Sequence, residues 1–290
     1  MRAIAIVAPQ VSKSHLLPFQ TDRVVTWTDN PAEADVAVLF GGDGTVHFHL
    51  ATILDHKLSL LVVPTGSAND FASSLGIHSR RAAVRTWQAF CAGTQNVVTI
   101  DIGTITKHSS DNCQLTTSNW YFACIAYLGL DSATNALANQ LPRFLRAHGG
   151  YILSLLPTLV RFRPQRITVR DAAGSVLHSE PAMLTCFANT PRYGHGLRIA
   201  PEARMTDGLL DLCFVRRLGK LKLLGLFSSV YWGKHTKLPY VSICRGERFI
   251  LETERPTALF ADGEYVCQTP AEISIVPRAL RVIVPRPGML

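Results

Sequence analysis

The sequence predicts an N-terminal doubly wound α/β domain followed by an antiparallel β-sandwich domain. Three observations point there. Residues 2–8, 35–40 and 58–63 are short, nearly continuous apolar runs, the pattern of parallel strands buried on both faces. From about residue 97 the apolar positions change to short alternating segments, as in antiparallel sheets with one wet face. The 290 residues, 47% apolar and 17% charged, suffice for two moderate domains and exclude disorder, collagen and coiled coil. The first domain is expected over 1–97 and the second over 98–277, with 278–290 returning to the first.

The elements run in order along the chain. The first strand stops at Pro9, and its apolar run is too short for a signal peptide. After the second strand a helix is expected over 45–54. After the third, another is expected over 69–75, stopped by Gly76. A third helix spans 80–91 with Gly93 as its stop. Strands are then expected at 98–102, 167–169, 209–213, 241–243, 249–251, 273–276 and 280–284, with a hairpin turn at 171–174. There is no internal repeat and no low-complexity tether.

The net charge of +8 calls for an anionic partner. It is concentrated: residues 141–166 hold five Arg and no acid, and 216–237 hold six Lys or Arg and no acid. Both stretches interleave aliphatic residues with Arg143, Arg146, Arg161, Arg163 and their counterparts. That pattern suits an anionic membrane surface, or a packed helix with solvated ends, and it matches no nucleic-acid motif. Seven dispersed Cys without a CxxC pair fit a reducing cytoplasm. No apolar run approaches the roughly 20 residues of a membrane span, so membrane contact is expected to be peripheral.

Two segments carry chemistry. In Leu39-Phe-Gly-Gly-Asp-Gly-Thr45 a buried strand ends in three glycines around an acid, and a helix begins. Glycines admit a polyphosphate close to the backbone, a helix N-terminus supplies N–H donors, and Asp43 could hold Mg²⁺ or orient a water. Pro64-Thr-Gly-Ser-Ala-Asn-Asp70 repeats the strand, turn and helix plan, with Ser67 offering a hydroxyl and Asn69 and Asp70 suited to capping. Either turn alone could simply reverse the chain. Two at the carboxyl ends of adjacent parallel strands are where an α/β sheet places a ligand.

These segments resemble the diacylglycerol kinase catalytic-domain superfamily, which includes sphingosine and ceramide kinases and has NAD kinases as distant relatives. Gly41-Gly-Asp-Gly-Thr45 is similar to its GGDGT and the 64–70 segment to its P-x-G-[TS]-x-N-D. Gly129-Leu-Asp131, Gly194-His-Gly196, Asp207-Gly-Leu-Leu-Asp211 and Ala261-Asp-Gly-Glu264 come next, in the family's order. The resemblance implies a lipid kinase using ATP and Mg²⁺, with the nucleotide phosphates at Gly41, Gly42, Asp43, Gly44, Thr45, Gly66, Ser67 and Asn69. It implies Asp43, Asp262 and Glu264 as catalytic acids, Asp262 as the base that takes the lipid hydroxyl's proton, and Glu264 as a metal or nucleotide contact. On turn chemistry alone, Asp262-Gly263 reads as a hairpin turn. Asp207, Asp211 and the Leu209 carbonyl resemble a structural Mg²⁺ or Ca²⁺ site, with an ordinary turn as the competing reading. Asp131 resembles a lipid head-group contact, or else caps the segment after it.

Departures are also visible. The Asn-Pro-x-x-Gly loop after the first strand is reduced to Pro9, and the Glu common after GGDGT is absent, His47 and Phe48 standing there. His47 and Ser67 resemble the sphingosine kinase branch. The expectation is therefore a cytoplasmic, peripherally bound kinase of a diacylglycerol-like lipid, at the inner face of an anionic membrane, compatible with a homodimer. Its alternatives are a sphingosine or ceramide kinase, an NAD kinase-like enzyme and a non-catalytic lipid or nucleotide binder.

Overall fold

A computed structural model describes residues 1–20, 24–107, 119–140, 150–194 and 196–286. The chain divides into two units: unit 1 holds residues 1–102, 204–208 and 276–290, and unit 2 holds 103–203 and 209–275.

Unit 1 runs β1 (Arg2–Val7), α1 (Leu17–Gln20), β2 (Thr26–Trp27), β3 (Val36–Gly41), α2 (Asp43–Asp55), β4 (Ser59–Pro64), α3 (Asp70–Ser74), α4 (Arg80–Cys91) and the first part of β5 (Val97–Lys107). The strands are parallel in the order β2-β1-β3-β4, and every residue of β3 is buried. This is why the 35–40 run reads as continuous rather than alternating. Helix α4 has the expected bounds, and the Ser79 hydroxyl accepts from Ala82 N at 3.2 Å as its cap. Trp87 of α4 is buried and donates its indole N–H to Phe19 O at 3.0 Å. Phe19 in turn meets Phe40 edge-on at 5.1 Å.

Unit 2 continues with β6 (Asn119–Phe122), β7 (Ile125–Gly129), α5 (Leu130–Gln140), α6 (Gly150–Arg161), β8 (Gln165–Arg170), β9 (Val176–Ala188), β10 (Leu210–Arg216) and α7 (Lys220–Tyr231). It closes with β11 (Val241–Gly246), β12 (Arg248–Thr253), β13 (Ala258–Ala261), β14 (Glu264–Gln268) and the first half of β15 (Ala271–Ile283). Its strands pair antiparallel in the order β14-β13-β7-β9-β8-β12-β15, and β10 joins β9 to β11. Phe122, Leu128, Phe187, Leu212, Phe214 and Phe249 form its core. The expected hairpin at 171–174 joins β8 to β9, with Gly174 N donating to Asp171 O at 3.0 Å.

The division differs from the expected one at 97/98. Strand β5 continues to Lys107, and the unit boundary falls at 102/103. Residues 204–208 also belong to unit 1. The cause is Asp101, a buried acid whose N donates to Met205 O at 2.7 Å. Its carboxylate accepts from Gly208 N at 2.8 Å and Arg278 N at 2.7 Å. One side chain thus stitches three distant segments into unit 1. The same bond explains why the segments expected at 273–276 and 280–284 form one strand. Arg278 takes a positive φ of 51°, and its N–H points to Asp101.

Candidate active site

In unit 1 the two glycine turns sit at the carboxyl ends of β3 and β4. Helix α2 starts at Asp43, two residues before the expected start, and its N-cap, Gly42, makes no side-chain capping bond. Its first-turn N–H groups therefore lack a side-chain acceptor from the cap. Helix α3 is different: Asp43 Oδ2 accepts from Asp70 N and Oδ1 from Phe71 N, both at 3.0 Å. The Asp43 carboxylate is thus a brace between the two turns. Asn69, expected to cap α3, has φ 55° and makes no capping bond. Its side chain instead closes the turn on itself, Oδ1 accepting from Gly66 N at 2.8 Å and Nδ2 donating to Gly66 O at 2.7 Å.

The turns touch backbone to backbone. A Cβ on Gly66 would lie 2.7 Å from Gly42 Cα, and one on Gly42 would lie 3.0 Å from Gly66 Cα. One on Gly41 would lie 2.4 Å from the Thr45 Cβ. The Thr65 hydroxyl is buried with no hydrogen-bond partner among the described residues, an orphaned donor that composition did not single out. Ser67 is exposed. Glycine backbone, an open helix N-terminus and an orphaned hydroxyl fit a phosphate-bearing ligand.

In unit 2, Asp262 and Gly263 form the two-residue turn of the β13–β14 hairpin, with φ 49° and 94° as a type I′ turn requires. The hairpin-turn reading of Asp262-Gly263 is what the backbone shows. Asp262 Oδ2 accepts from Ala123 N at 2.7 Å, and Oδ1 accepts from Cys124 N at 2.9 Å and Ile125 N at 3.0 Å. Glu264 comes next, exposed, at the start of β14. Asp131 is buried in the first turn of α5 and accepts the Tyr193 hydroxyl.

These three acids gather on a residue the motifs do not flag, Tyr127 of β7. Burial, then the charges of Asp131 and Asp262, and last that of Glu264, push its phenol well above the ordinary value, and the Asn135 amide opposes the shift. The Tyr127 ring stacks on Phe260 at 6.1 Å and tilts against Tyr193 at 6.0 Å. Beside Asp131 and Tyr193 lies a cavity of about 30 Å³ lined by Leu184, Leu197, Val215 and Leu226 among others. A cavity of this size holds about one or two waters and no alkyl chain.

Of the residues expected as an ion site, Asp207 is exposed in unit 1. Asp211, buried on β10 in unit 2, accepts Arg245 Nε at 3.0 Å. Leu209 is half-buried. Among the described residues no group of three or more His, Cys, Asp or Glu is placed to hold a metal. Of the basic stretch at 141–166, Arg143, Phe144, Leu145 and Arg146 lie outside the described residues, as does His195.

Residues 15–105 match the family described as the diacylglycerol kinase catalytic domain, and residues 124–284 match the YegS C-terminal NAD kinase β-sandwich-like domain. A diacylglycerol kinase from Mycobacterium tuberculosis (strain CDC 1551 / Oshkosh) is 33% identical over 255 residues, 88% of this chain and 78% of that one. One from Bacillus subtilis (strain 168) is 26% identical over 259 residues, covering 88% and 79%. A crystal structure of a diacylglycerol kinase from Bacillus anthracis (strain Sterne) shares the fold. Its TM-score is 0.68 at 16% identity, over 100% of this chain and 98% of that one.

Proposed function

The chain belongs to the diacylglycerol kinase-like lipid kinases, and on that footing we propose that it transfers the γ-phosphoryl group of ATP to the hydroxyl of a diacylglycerol-like lipid. The observation that carries the proposal is the pair of turns in unit 1. Their glycines leave room only for backbone, and the N-terminus of α2 has no side-chain cap. In this reading the N–H groups of residues 42–44 and the Thr65 hydroxyl hold phosphate oxygens, with Gly41, Thr45, Gly66, Ser67 and Asn69 shaping the turn. Asp43 keeps the two turns in register. A Mg²⁺ bound with the nucleotide would neutralise charge on the transferred group.

In unit 2 we assign the proton acceptor to Asp262, whose three backbone donors fix the orientation of its carboxylate. Glu264, the exposed acid two residues on, is assigned to nucleotide or metal contact. Asp131, held by Tyr193, takes the polar end of the acceptor, whose hydroxyl loses a proton as it attacks phosphorus. The diacylglycerol-like acceptor is supported by the names of the Mycobacterium tuberculosis and Bacillus subtilis relatives. We further propose that the enzyme meets its acceptor on the cytoplasmic face of an anionic membrane. Among the described residues no helix is long and apolar enough to cross one.

The test is incubation of the purified chain with Mg²⁺ and γ-labelled ATP. Diacylglycerol, monoacylglycerol, ceramide and sphingosine are offered in mixed micelles, and NAD in solution. Label in phosphatidic acid is the expected result. Label in ceramide or sphingosine moves the acceptor, and label only in NADP overturns the lipid. ATP binding without transfer to any acceptor overturns the activity.

A further inference from the structure

Two thiols stand opposite one another on β9 and β10. Phe187, Leu212 and Phe214 belong to the unit 2 core, so strand alternation turns Cys186 and Cys213 to the other face of the sheet. The two are direct partners in the antiparallel register, which sets their Cα atoms about 4.5–5.5 Å apart, within the span that a disulfide bridges. Both are buried, and both are free thiols.

A histidine meets them. His235 is fully buried in the short helical turn Lys234–Lys237, with Nε2 at 2.8 Å from Ile199 O. A carbonyl only accepts, so Nε2 carries the proton and Nδ1 of the neutral ring is a bare acceptor. That Nδ1 is buried with no hydrogen-bond partner among the described residues. Buried acceptors are normally satisfied, and this one belongs to a ring beside the Cys213 thiol. Cys186 first, and then His235, favour the Cys213 thiolate against the effect of burial, whereas burial pushes the Cys186 thiol up. One thiol is readied to ionise and the other is held protonated. A thiol that only fills space needs no such neighbour.

The cluster borders the acceptor side of the site. Leu184 and Val215 each lie two residues from one of the thiols on the same face, and with Asp131 and Ile199 they line the cavity of about 30 Å³. A space for about one or two waters also admits hydrogen peroxide and excludes bulky oxidants.

We propose that Cys213 and Cys186 form a peroxide-reactive dithiol that closes to a disulfide and thereby weakens binding of the lipid acceptor. His235 Nδ1 takes the Cys213 proton. The thiolate attacks one peroxide oxygen, the O–O bond breaks, and the departing hydroxide leaves as water with the proton from His235. Cys213 is then a sulfenic acid. The Cys186 sulfur attacks it: the S–S bond forms, the S–O bond breaks, and hydroxide leaves as a second water with the Cys186 proton. A disulfide needs Cβ atoms about 3.8 Å apart, against about 4.5–5.5 Å for an open cross-strand pair. Closure therefore draws the strands together by roughly 1 Å beneath Leu184 and Val215. The effect on lipid rests on the proposed function, and the thiol chemistry does not.

The test treats the reduced full chain with a slight excess of hydrogen peroxide, without nucleotide or lipid, then quenches in acid, alkylates in denaturant and maps the unreduced peptides. One linked pair, Cys186 with Cys213, is expected, and dithiothreitol should reopen it. Cys186→Ala should stop at a Cys213 sulfenic acid, trapped by dimedone added with the denaturant, whereas Cys213→Ala should give neither product. His235→Gln keeps a donor for Ile199 O without the acceptor nitrogen and should slow closure about tenfold or more. Cys244→Ala, on β11 and packed against the core, should close at the wild-type rate. The oxidised chain should show a KM for lipid raised about fivefold or more and an unchanged KM for ATP. Thermal midpoints check that the variants fold.

Absence of the Cys186–Cys213 link, links scattered over Cys91, Cys124 and Cys267, or closure at the wild-type rate in His235→Gln would overturn the inference. Closure that leaves the KM for lipid unchanged would overturn its effect on the acceptor. A chain that closes the disulfide but phosphorylates no lipid defeats the kinase reading alone. Lipid phosphorylation by a chain that never closes it defeats the dithiol alone.

Discussion

Replacing Gly66 with Ala puts the apposition of the two turns to a quantitative test. The added methyl would sit 2.7 Å from Gly42 Cα, 3.1 Å from Asn69 Oδ1 and 3.3 Å from Gly42 N. Two of the three are backbone, and the third, Asn69 Oδ1, is held in the turn by the bond from Gly66 N. Reaching ordinary contact at 3.4 Å requires the turns to part by roughly 0.7 Å. Overpacking of this kind costs about 1–3 kcal/mol, a fall in Tm of about 5–10 °C for a unit of this size. The larger effect should be on turnover, because a misplacement near 1 Å in a phosphate cradle costs about 100-fold. Thermal unfolding and initial rates with varied ATP would read both, with kcat falling more than KM for the lipid rises. Gly225→Ala is the matched control: nothing lies within 4 Å of its Cβ, it sits in α7, and it should gain about 0.5–1 kcal/mol. If Gly66→Ala keeps kcat within twofold and its Tm within about 1 °C, the contact between the turns has no role in holding phosphate.

Other expectations come from unit 2. Asp262→Asn sets an amide N–H against a backbone N–H in a place that accepts three donors. It should lower stability by about 1–3 kcal/mol and abolish lipid phosphorylation, as urea titration and the transfer assay would show. Tyr193→Phe removes the hydroxyl donated to buried Asp131. KM for lipid should rise severalfold while KM for ATP stays unchanged, and equal changes in both would refute a head-group role for Asp131. His178 stacks on Phe214 at 4.2 Å, and burial holds its imidazole below the ordinary 6.5. The unfolded chain then binds more protons, so stability should decline as pH falls below about 6.5, and His178→Gln should flatten that slope in urea midpoints taken at pH 7.5 and 5.5.

Signals confined to a few neighbouring residues are legible in the sequence. The bounds of α4 come from Ser79, an amphipathic run and Gly93, and the buried strands β3 and β4 from their nearly unbroken apolar composition. Strand β9 escapes the same reading because its first half mixes exposed apolar and polar residues, Val176, Leu177 and Ser179 among them, while its last four residues are all buried, so no single period spans it. The site divides in the same way. The glycine turns and the Asp262-Gly263 hairpin are written in consecutive residues, whereas the partners that define each acid are remote. Asp262 finds its donors 137–139 residues away, Asp131 meets Tyr193 at a separation of 62, and Asp101 reaches Gly208 and Arg278 at separations of 107 and 177. The motif at Asp43 shows a carboxylate fit to hold Mg²⁺ or orient a water, but not the two amides at 70 and 71 that it accepts.

The stitching of unit 1 from three stretches of chain constrains the order in which a ribosome can complete it. Strand β4 pairs with β3 on one side and with Arg281 and Val282 of β15 on the other. Until those last residues emerge, the nascent chain carries an open parallel edge, rich in Leu and Val, directly before the Pro64–Asp70 turn. The N-terminal half therefore cannot finish folding first, as domains made from one continuous stretch usually do. A release of synthesis before residue 281 would leave the two glycine turns on an unfinished sheet, exposed to aggregation and proteolysis, so that only a chain extending through β15 completes that sheet.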